Sequence, residues 1–389
     1  MYANSCCISF FSLVVLLMAN NRVCGQANTK DLLHWSISGS LPKNANGSPH
    51  PGLAGAVSGV QEDVLIVAGG CNFPDGMPWM GGLKQYYKTG YIFRVKQNKI
   101  VFTEHTFELP FNIAYGASCS TPFGVVTLGG ENENGLSNKA LLMRWNKKTN
   151  SIQTQFLPDL PFPVTNASAT ILGTTIFLAG GETVDGVSDK FLCIDLNNNG
   201  EWKMLPSIPK PVSHAVVVAQ NNGSTPYIYV MGGRRKNNGS TSEFYSTTFR
   251  YNINTSGWTE RKNLPYAVSA GTGVAHGTNL FLFGGDKGVT FNKTETLIMA
   301  IQSEQDPVKR NLLNDEKIKL QASHPGFSKD VLMYNTALDT WTIVGTIPFE
   351  SPVTTSAVKI DEHTVLIPAG EIKAGVRTPQ FLKGKFVKD

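Results

Sequence analysis

Glu371 and Arg377 stand six residues apart in Pro368-Ala-Gly-Glu-Ile-Lys-Ala-Gly-Val-Arg-Thr378, directly after the apolar run Thr364–Ile367. A carboxyl group can carry a proton or anchor backbone amides, and a guanidinium can hold an anion. Spacing alone does not choose between these roles, because Glu and Arg six apart are common. The position of the stretch in a series says more. Cys71, Glu131, Glu182, Arg234 and Asp286 each follow a pair of glycines, and Glu371 follows the related Ala369-Gly370. For Glu131, Glu182 and Asp286 the expected role is anchoring a loop through backbone amides. Glu371 differs: its glycine pair is broken, Pro368 interrupts the strand before it, and a cation follows with Gly375 between.

The elements that hold this series form a repeat. Gly69-Gly70, Gly129-Gly130, Gly180-Gly181, Gly232-Gly233 and Gly284-Gly285 each end an apolar run, and Ala369-Gly370 is a degenerate sixth. A Leu-Pro or Ile-Pro pair ending at Pro42, Pro110, Pro161, Pro209, Pro265 and Pro348 alternates with them. Strict alternation of two independent markers is the signature of a repeat fold. Each unit reads as four short strands. A stretch of small residues comes first (Gly52–Val60, Ala114–Ser120, Asn166–Ile171, His214–Ala219, Ala270–Ala275, Thr354–Val358). An apolar run such as Val64–Val67 or Leu280–Phe283 follows and is expected to be buried on both faces. A third strand and an outer strand led by an aromatic (Trp202, Trp258, Trp341) complete the unit. Six such units predict an all-β, six-bladed β-propeller.

The two ends complement each other. His34-Trp-Ser-Ile-Ser-Gly-Ser-Leu-Pro42 matches Thr340-Trp-Thr-Ile-Val-Gly-Thr-Ile-Pro348, and both read as outer strands. Residues 28–389 are therefore expected to form one propeller, its last blade made by pairing the N-terminal outer strand with Thr354–Val358, Thr364–Ile367 and Gln380–Phe386. Closure of this kind removes open sheet edges. An insertion at about 286–330 breaks the regularity. Its centre, Glu295–Gln321, mixes charge with scattered Leu and Ile and predicts one or two amphipathic helices on the face of Glu371, either a solvated excursion or a lid. Lys309-Arg310 within it reads as surface charge. The glycine-rich Cys71–Leu83, with Phe73 and Trp79, is a smaller excursion on that face.

Charged residues make up 16% of the chain, with 38 Gly, 21 Pro and a formal net charge of +5. No basic stripe or nucleic-acid motif accompanies that charge, so no nucleic-acid partner is expected. The apolar run Ile8–Ala19 has the length of a signal-peptide core and is too short to span a bilayer. With Gly25-Gln26-Ala27 as the cleavage site, residues 1–27 read as a signal peptide and the protein as exported, to the periplasm, although no Lys or Arg precedes Arg22. Lipidation at Cys24 is the lesser alternative, because Asn21 stands where a Leu is expected. Cys71, Cys119 and Cys193 are far apart and odd in number, which does not make a disulfide framework. The seven histidines show no ligand spacing, and neither metal nor cofactor is expected.

The mature chain resembles the N-acetylneuraminate epimerases, the sialic acid mutarotases, among the Kelch six-bladed propellers. Gly370-Glu-Ile-Lys-Ala-Gly-Val-Arg-Thr378 carries the resemblance, together with Gly69-Gly70 and Gly82-Leu-Lys84, Ala114-Tyr-Gly116 and the insertion after Gly285. The blade order is rotated relative to the familiar members, which looks like a cyclically permuted branch. The resemblance implies that the substrate is a sugar acid, sialic acid, whose anomers interconvert by ring opening. It implies that Glu371 is the base, that Arg377 holds the sugar carboxylate, and that Lys84 and Arg234 make further anion contacts. It also implies a functional link to a sialic acid uptake system. The rival of another class is a non-catalytic Kelch propeller binding a glycan or protein on the same face. No Asp-box suggests a sialidase, and nothing organises the Tyr/Tyr/His/His set of a copper-radical oxidase.

Overall fold

A computed structural model describes Met1 and residues 31–387, apart from 97–98, 199 and 222–224. Residues 2–27 of the expected signal peptide, Cys24 among them, lie outside the described residues. Among the described residues no helix is long and apolar enough to cross a membrane.

Six four-stranded antiparallel sheets form the blades of a propeller. The innermost strands, in chain order, are Val57–Gln61, Ala117–Thr121, Ser168–Leu172, Val216–Asn221, Thr272–His276 and Val358–Asp361. They define the first to the sixth blade. The second strand of each blade is the apolar run before the glycine pair, and in Val64–Ala68, Gly124–Leu128 and Thr364–Pro368 every residue is buried. The sixth blade closes as the sequence predicts. Leu33–Ser40 pairs with Gln380–Phe386, in the register Leu33 with Phe386 and Trp35 with Gly384. Its inner strand starts later than expected, at Val358 instead of Thr354. Residues 354–357 run along the axis before any sheet pairing begins.

Those axial segments are tied to one another. Shortly before each inner strand, two residues ahead of it in five blades and four in the sixth, one residue holds a left-handed backbone: Gly55, Tyr115, Asn166, His214, Ala270 and Thr354, with φ between 51° and 64°. Their amides and carbonyls link around the axis, Gly55 to Thr354, Tyr115 to Gly55, Asn166 to Tyr115, His214 to Asn166 and Ala270 to His214, at 2.8–3.0 Å. Such φ values cost a β-branched residue most, and Thr354 holds one while its carbonyl accepts from Gly55.

The glycine pairs explain themselves at this ring. A Cβ on Gly129, where φ is 64°, would lie 2.3 Å from the Val164 carbonyl oxygen of the next blade. At the degenerate sixth position Ala369 keeps the same left-handed backbone, φ 53°, while fully buried. Outside, the tryptophans stitch blades together: the indoles of Trp202, Trp258 and Trp341 donate to the carbonyls of Pro158, Pro206 and Lys262 at 2.8–3.0 Å. Between blades the gap is filled by rings and aliphatics, as where Phe93 of the first blade meets Phe381 of the sixth, centroids 5.0 Å apart.

After the second strand, five blades carry a two-stranded ribbon on one face of the ring. The fifth blade instead carries two helices, α1 (Val289–Ser303) and α2 (Pro307–Ala322). Gly288, in a left-handed conformation, precedes α1, and the Asp286 carboxylate accepts from its amide at 2.8 Å. Asp306 caps α2 through the Val308 amide, with Pro307 in its first turn. Arg310 is not mere surface charge: its guanidinium donates to the Glu304 carbonyl at 2.6 and 3.1 Å and pins the turn between the helices.

Candidate active site

The ribbons and helices surround a cavity of about 510 Å³ over the axis, in the range of small-molecule sites. Its floor is the left-handed ring, where Tyr115, Asn166, His214, Ala270 and Thr354 separate it from a narrow axial channel lined by small residues. Its wall on the fifth-blade side is α1. Thr290, Phe291, Thr294, Glu295 and Ile298 recur at helical spacing and so share one face. The Glu295 carboxylate takes both the amide and the hydroxyl of Ser242 in the neighbouring fourth-blade loop, at 2.6 and 2.9 Å. The insertion is therefore docked onto the ring and forms part of the cavity.

Glu371 and Arg377 lie on the sixth-blade ribbon and are register partners across it. One Glu371 oxygen accepts from the Gly375 amide at 2.9 Å, and the other stands 3.5 Å from Arg377 Nη2. Gly375 holds φ 72° at the turn, and a Cβ there would strike the Trp79 ring. Burial pushes the Glu371 carboxyl above the ordinary carboxylate range, against the opposing pull of Arg377, the Gly375 amide, Lys84 and Arg234. The Arg377 side chain is 4% exposed, its guanidinium lies over the Phe73 ring at 4.6 Å, and its Nε and Nη1 are buried without a hydrogen-bond partner. An arginine in this state offers N–H donors to an anion in the cavity.

Both other predicted contacts reach the cavity, in different electrostatic settings. Lys84 Nζ is 2.9 Å from Glu131 and 5.1 Å from the Tyr115 ring centroid. Arg234 lies over the Phe291 ring at 4.4 Å, with Nη2 3.4 Å from His214 Nε2 and 3.9 Å from Glu182. Of the three expected loop anchors, only Asp286 serves a backbone amide. Glu131 binds Lys84 and the Tyr86 hydroxyl, and Glu182 accepts from the Ser213 hydroxyl at 2.9 Å. These two tie neighbouring blades together through side chains. Cys71 is not merely a small core residue, because its thiol donates to the Tyr115 hydroxyl at 3.1 Å beneath the cavity. Burial raises both groups, so neither ionises readily. No group of His, Cys, Asp and Glu among the described residues is arranged to hold a metal ion.

Asn166, His214, Phe291 and His324 were not singled out from sequence. The first two occupy equivalent positions in successive repeats, and Asn and His are among the residues that tolerate a left-handed backbone. That shared register is the signal that marks them.

A family model described as N-acetylneuraminate epimerase matches residues 157–389, a span that contains Glu371, Arg377 and Arg234 but not Lys84. The chain is 26% identical over 240 residues to the N-acetylneuraminate epimerase of Haemophilus influenzae (strain PittEE), covering 61% of each protein. To that of Pasteurella multocida (strain Pm70) it is 27% identical over 234 residues, covering 60% of this chain and 59% of the relative. For Salmonella typhi the figures are 28% over 238 residues, 60% and 59%. The chain thus matches about three fifths of the length of these curated relatives. The solved structure of YjhT superposes with a TM-score of 0.61 at 13% identity, covering 89% of this chain and 96% of that one. At that identity the likeness establishes the propeller fold and nothing finer.

Proposed function

The chain belongs to the N-acetylneuraminate epimerase family, and from that premise we propose that it interconverts the α and β anomers of N-acetylneuraminate. The observation that carries the proposal is the 3.5 Å contact between Glu371 and Arg377 at the cavity wall. In a 2-keto sugar acid the carboxylate and the anomeric hydroxyl are borne on one carbon. A cation that holds the first therefore sets the second beside its own neighbour.

Glu371 takes the anomeric hydroxyl proton as the bond between the anomeric carbon and the ring oxygen breaks. The proton passes to the ring oxygen and leaves the open-chain 2-keto acid. Rotation about the bond to the keto carbon and reclosure on its other face give the second anomer, with Glu371 working in reverse. A carboxyl raised by burial suits both directions, since it must accept and return the proton near neutral pH. Arg377 remains charged throughout, because Glu371, Tyr115 and Cys71 together outweigh the burial that works against its charge.

The test is the decay of freshly released α-anomer followed by NMR with and without the purified protein. Acceleration over buffer is expected. Saturable binding without acceleration would identify a binding propeller instead. The apolar run Ile8–Ala19 supports export, and the family resemblance suggests work alongside a sialic acid uptake system. Fractionation of cells expressing the full chain checks that placement, and retention in the cytoplasm contradicts it.

A further inference from the structure

We propose that Asn166 and Arg234 form a second half of the cavity that reads the acylamino group of the sugar acid, with His214 as the residue that positions Arg234. The inference rests on the mutarotase proposal and adds to it the basis of substrate choice.

Three observations support it. The first is placement. Asn166 opens the third blade, three round from the sixth blade that carries Arg377, and Arg234 belongs to the fourth. In the pyranose form of an N-acylated nine-carbon sugar acid, the anomeric carbon and the carbon bearing the acylamino group stand 1,4 across the ring. A sugar whose carboxylate meets Arg377 therefore directs its acylamino group over the axis, toward the third and fourth blades.

The second is chemistry. Arg234 lies among more carboxylates than Arg377, which among the described residues has Glu371 alone beside it at 3.5 Å. Glu182 stands 3.9 Å away, and Asp286 and Glu295 contribute to its field. Its Nε is nonetheless buried without a partner. Burial still weighs against its charge, and a second anion placed there would face the carboxylates of Glu182, Asp286 and Glu295, so a neutral oxygen suits the site better. Asn166 gives its backbone to the axial ring and lines both the cavity and the channel beneath it. An amide that both donates and accepts complements the C=O and N–H of an acylamino group.

The third is preorganisation. Burial, reinforced by Arg234, holds His214 well below its ordinary pKa, so the ring is neutral. Nε2 can then accept from Arg234 at 3.4 Å, while Nδ1 meets the Ser213 hydroxyl at 3.1 Å, which in turn donates to Glu182. With Phe291 beneath its guanidinium, Arg234 is held in one orientation from two sides.

The experiment compares anomer exchange on N-acetylneuraminate with exchange on the analogue that carries a hydroxyl in place of the acylamino group. Both substrates keep the carboxylate and the anomeric centre. Asn166→Gly preserves the left-handed backbone, and Arg234→Lys preserves charge. Each is expected to lose roughly tenfold in kcat/KM on the acylamino substrate and less than about twofold on the analogue, whose turnover also reports an intact fold. His214→Asn, likewise compatible with the backbone, shifts the ratio in the same direction by less. Equal losses on both substrates, or no loss on either, overturn the inference and leave the mutarotase proposal standing. A wild-type protein that accelerates neither substrate overturns both.

Discussion

Two arginines face one cavity, each over an aromatic ring, and their surroundings act oppositely: the charge of Arg377 is favoured on balance, that of Arg234 disfavoured by burial. Arg377 on Phe73 has one carboxylate neighbour, itself drawn toward the neutral form, and two buried nitrogens without partners. Arg234 on Phe291 stands among Glu182, Asp286 and Glu295 and leans on a neutral histidine. The fold supplies both with the same scaffold, a short ribbon after a left-handed glycine step. Burial and the neighbouring residues together decide how far each charge is compensated. The two are not repeat equivalents: Arg234 stands at the position that Glu371 holds in the sixth blade, and Arg377 lies on the return strand opposite Glu371, so one repeat position carries a cation in one blade and an acid in another.

That contrast is open to attack by mutation. The largest effect is expected at Arg377. Arg377→Ala should lower kcat/KM for the sugar acid by about 100-fold or more, the cost of removing one partner of a buried charged contact. Lysine should not rescue it, because the forked geometry is lost. Arg234→Ala should cost about tenfold. Equal losses at the two sites, measured by exchange kinetics and calorimetric binding, would erase the distinction.

Next in size is Gly375→Ala. The added methyl meets the Trp79 ring at a φ of 72° and displaces the amide that holds Glu371. A drop of roughly tenfold in kcat is expected, with binding little changed and melting lowered by the strain of Ala at that φ. Unchanged turnover would mean that the ribbon does not aim Glu371.

The pH profile sharpens the comparison further. Burial raises the Glu371 carboxyl, so the acid limb of kcat/KM should lie above the ordinary carboxylate range, with activity lost as pH falls through it. Arg377 is the foremost group opposing that rise, and Arg234 the least of those that do. Arg377→Ala should therefore move the limb to higher pH, and Arg234→Ala should move it less in the same direction. A limb at the ordinary carboxylate position in the wild type would remove the burial argument. The smallest effect is structural: Trp341→Phe deletes the indole donor to the Lys262 carbonyl and should cost about 1 kcal/mol in urea unfolding, with exchange activity intact.

Much of the architecture was legible because it repeats. The alternation of glycine pairs with Leu-Pro pairs announced six blades, and the match between His34–Pro42 and Thr340–Pro348 announced how the ring closes. Both features arise from local rules, strand burial and tight turns, that leave a periodic trace. The face bearing Glu371, the insertion and Cys71–Leu83 followed from the same count. The finer site was less visible. Asn166 and His214 sit among small residues that read as strand, whereas their left-handed backbone is set by hydrogen bonds to neighbouring blades. Glu131 and Glu182 serve side chains on adjoining blades, contacts that join residues distant in sequence. Phe291 meets Arg234 only because α1 folds back over the fourth blade.

The central claim is that the carboxyl group of Glu371 moves the proton. Glu371→Gln keeps the size of the side chain and removes its ability to accept that proton, so sugar-acid affinity and the rate of α-anomer decay should be measured on the same sample. Affinity within a few-fold of wild type, with decay slowed to the buffer rate, is the predicted result. Undiminished acceleration by the glutamine variant would contradict it.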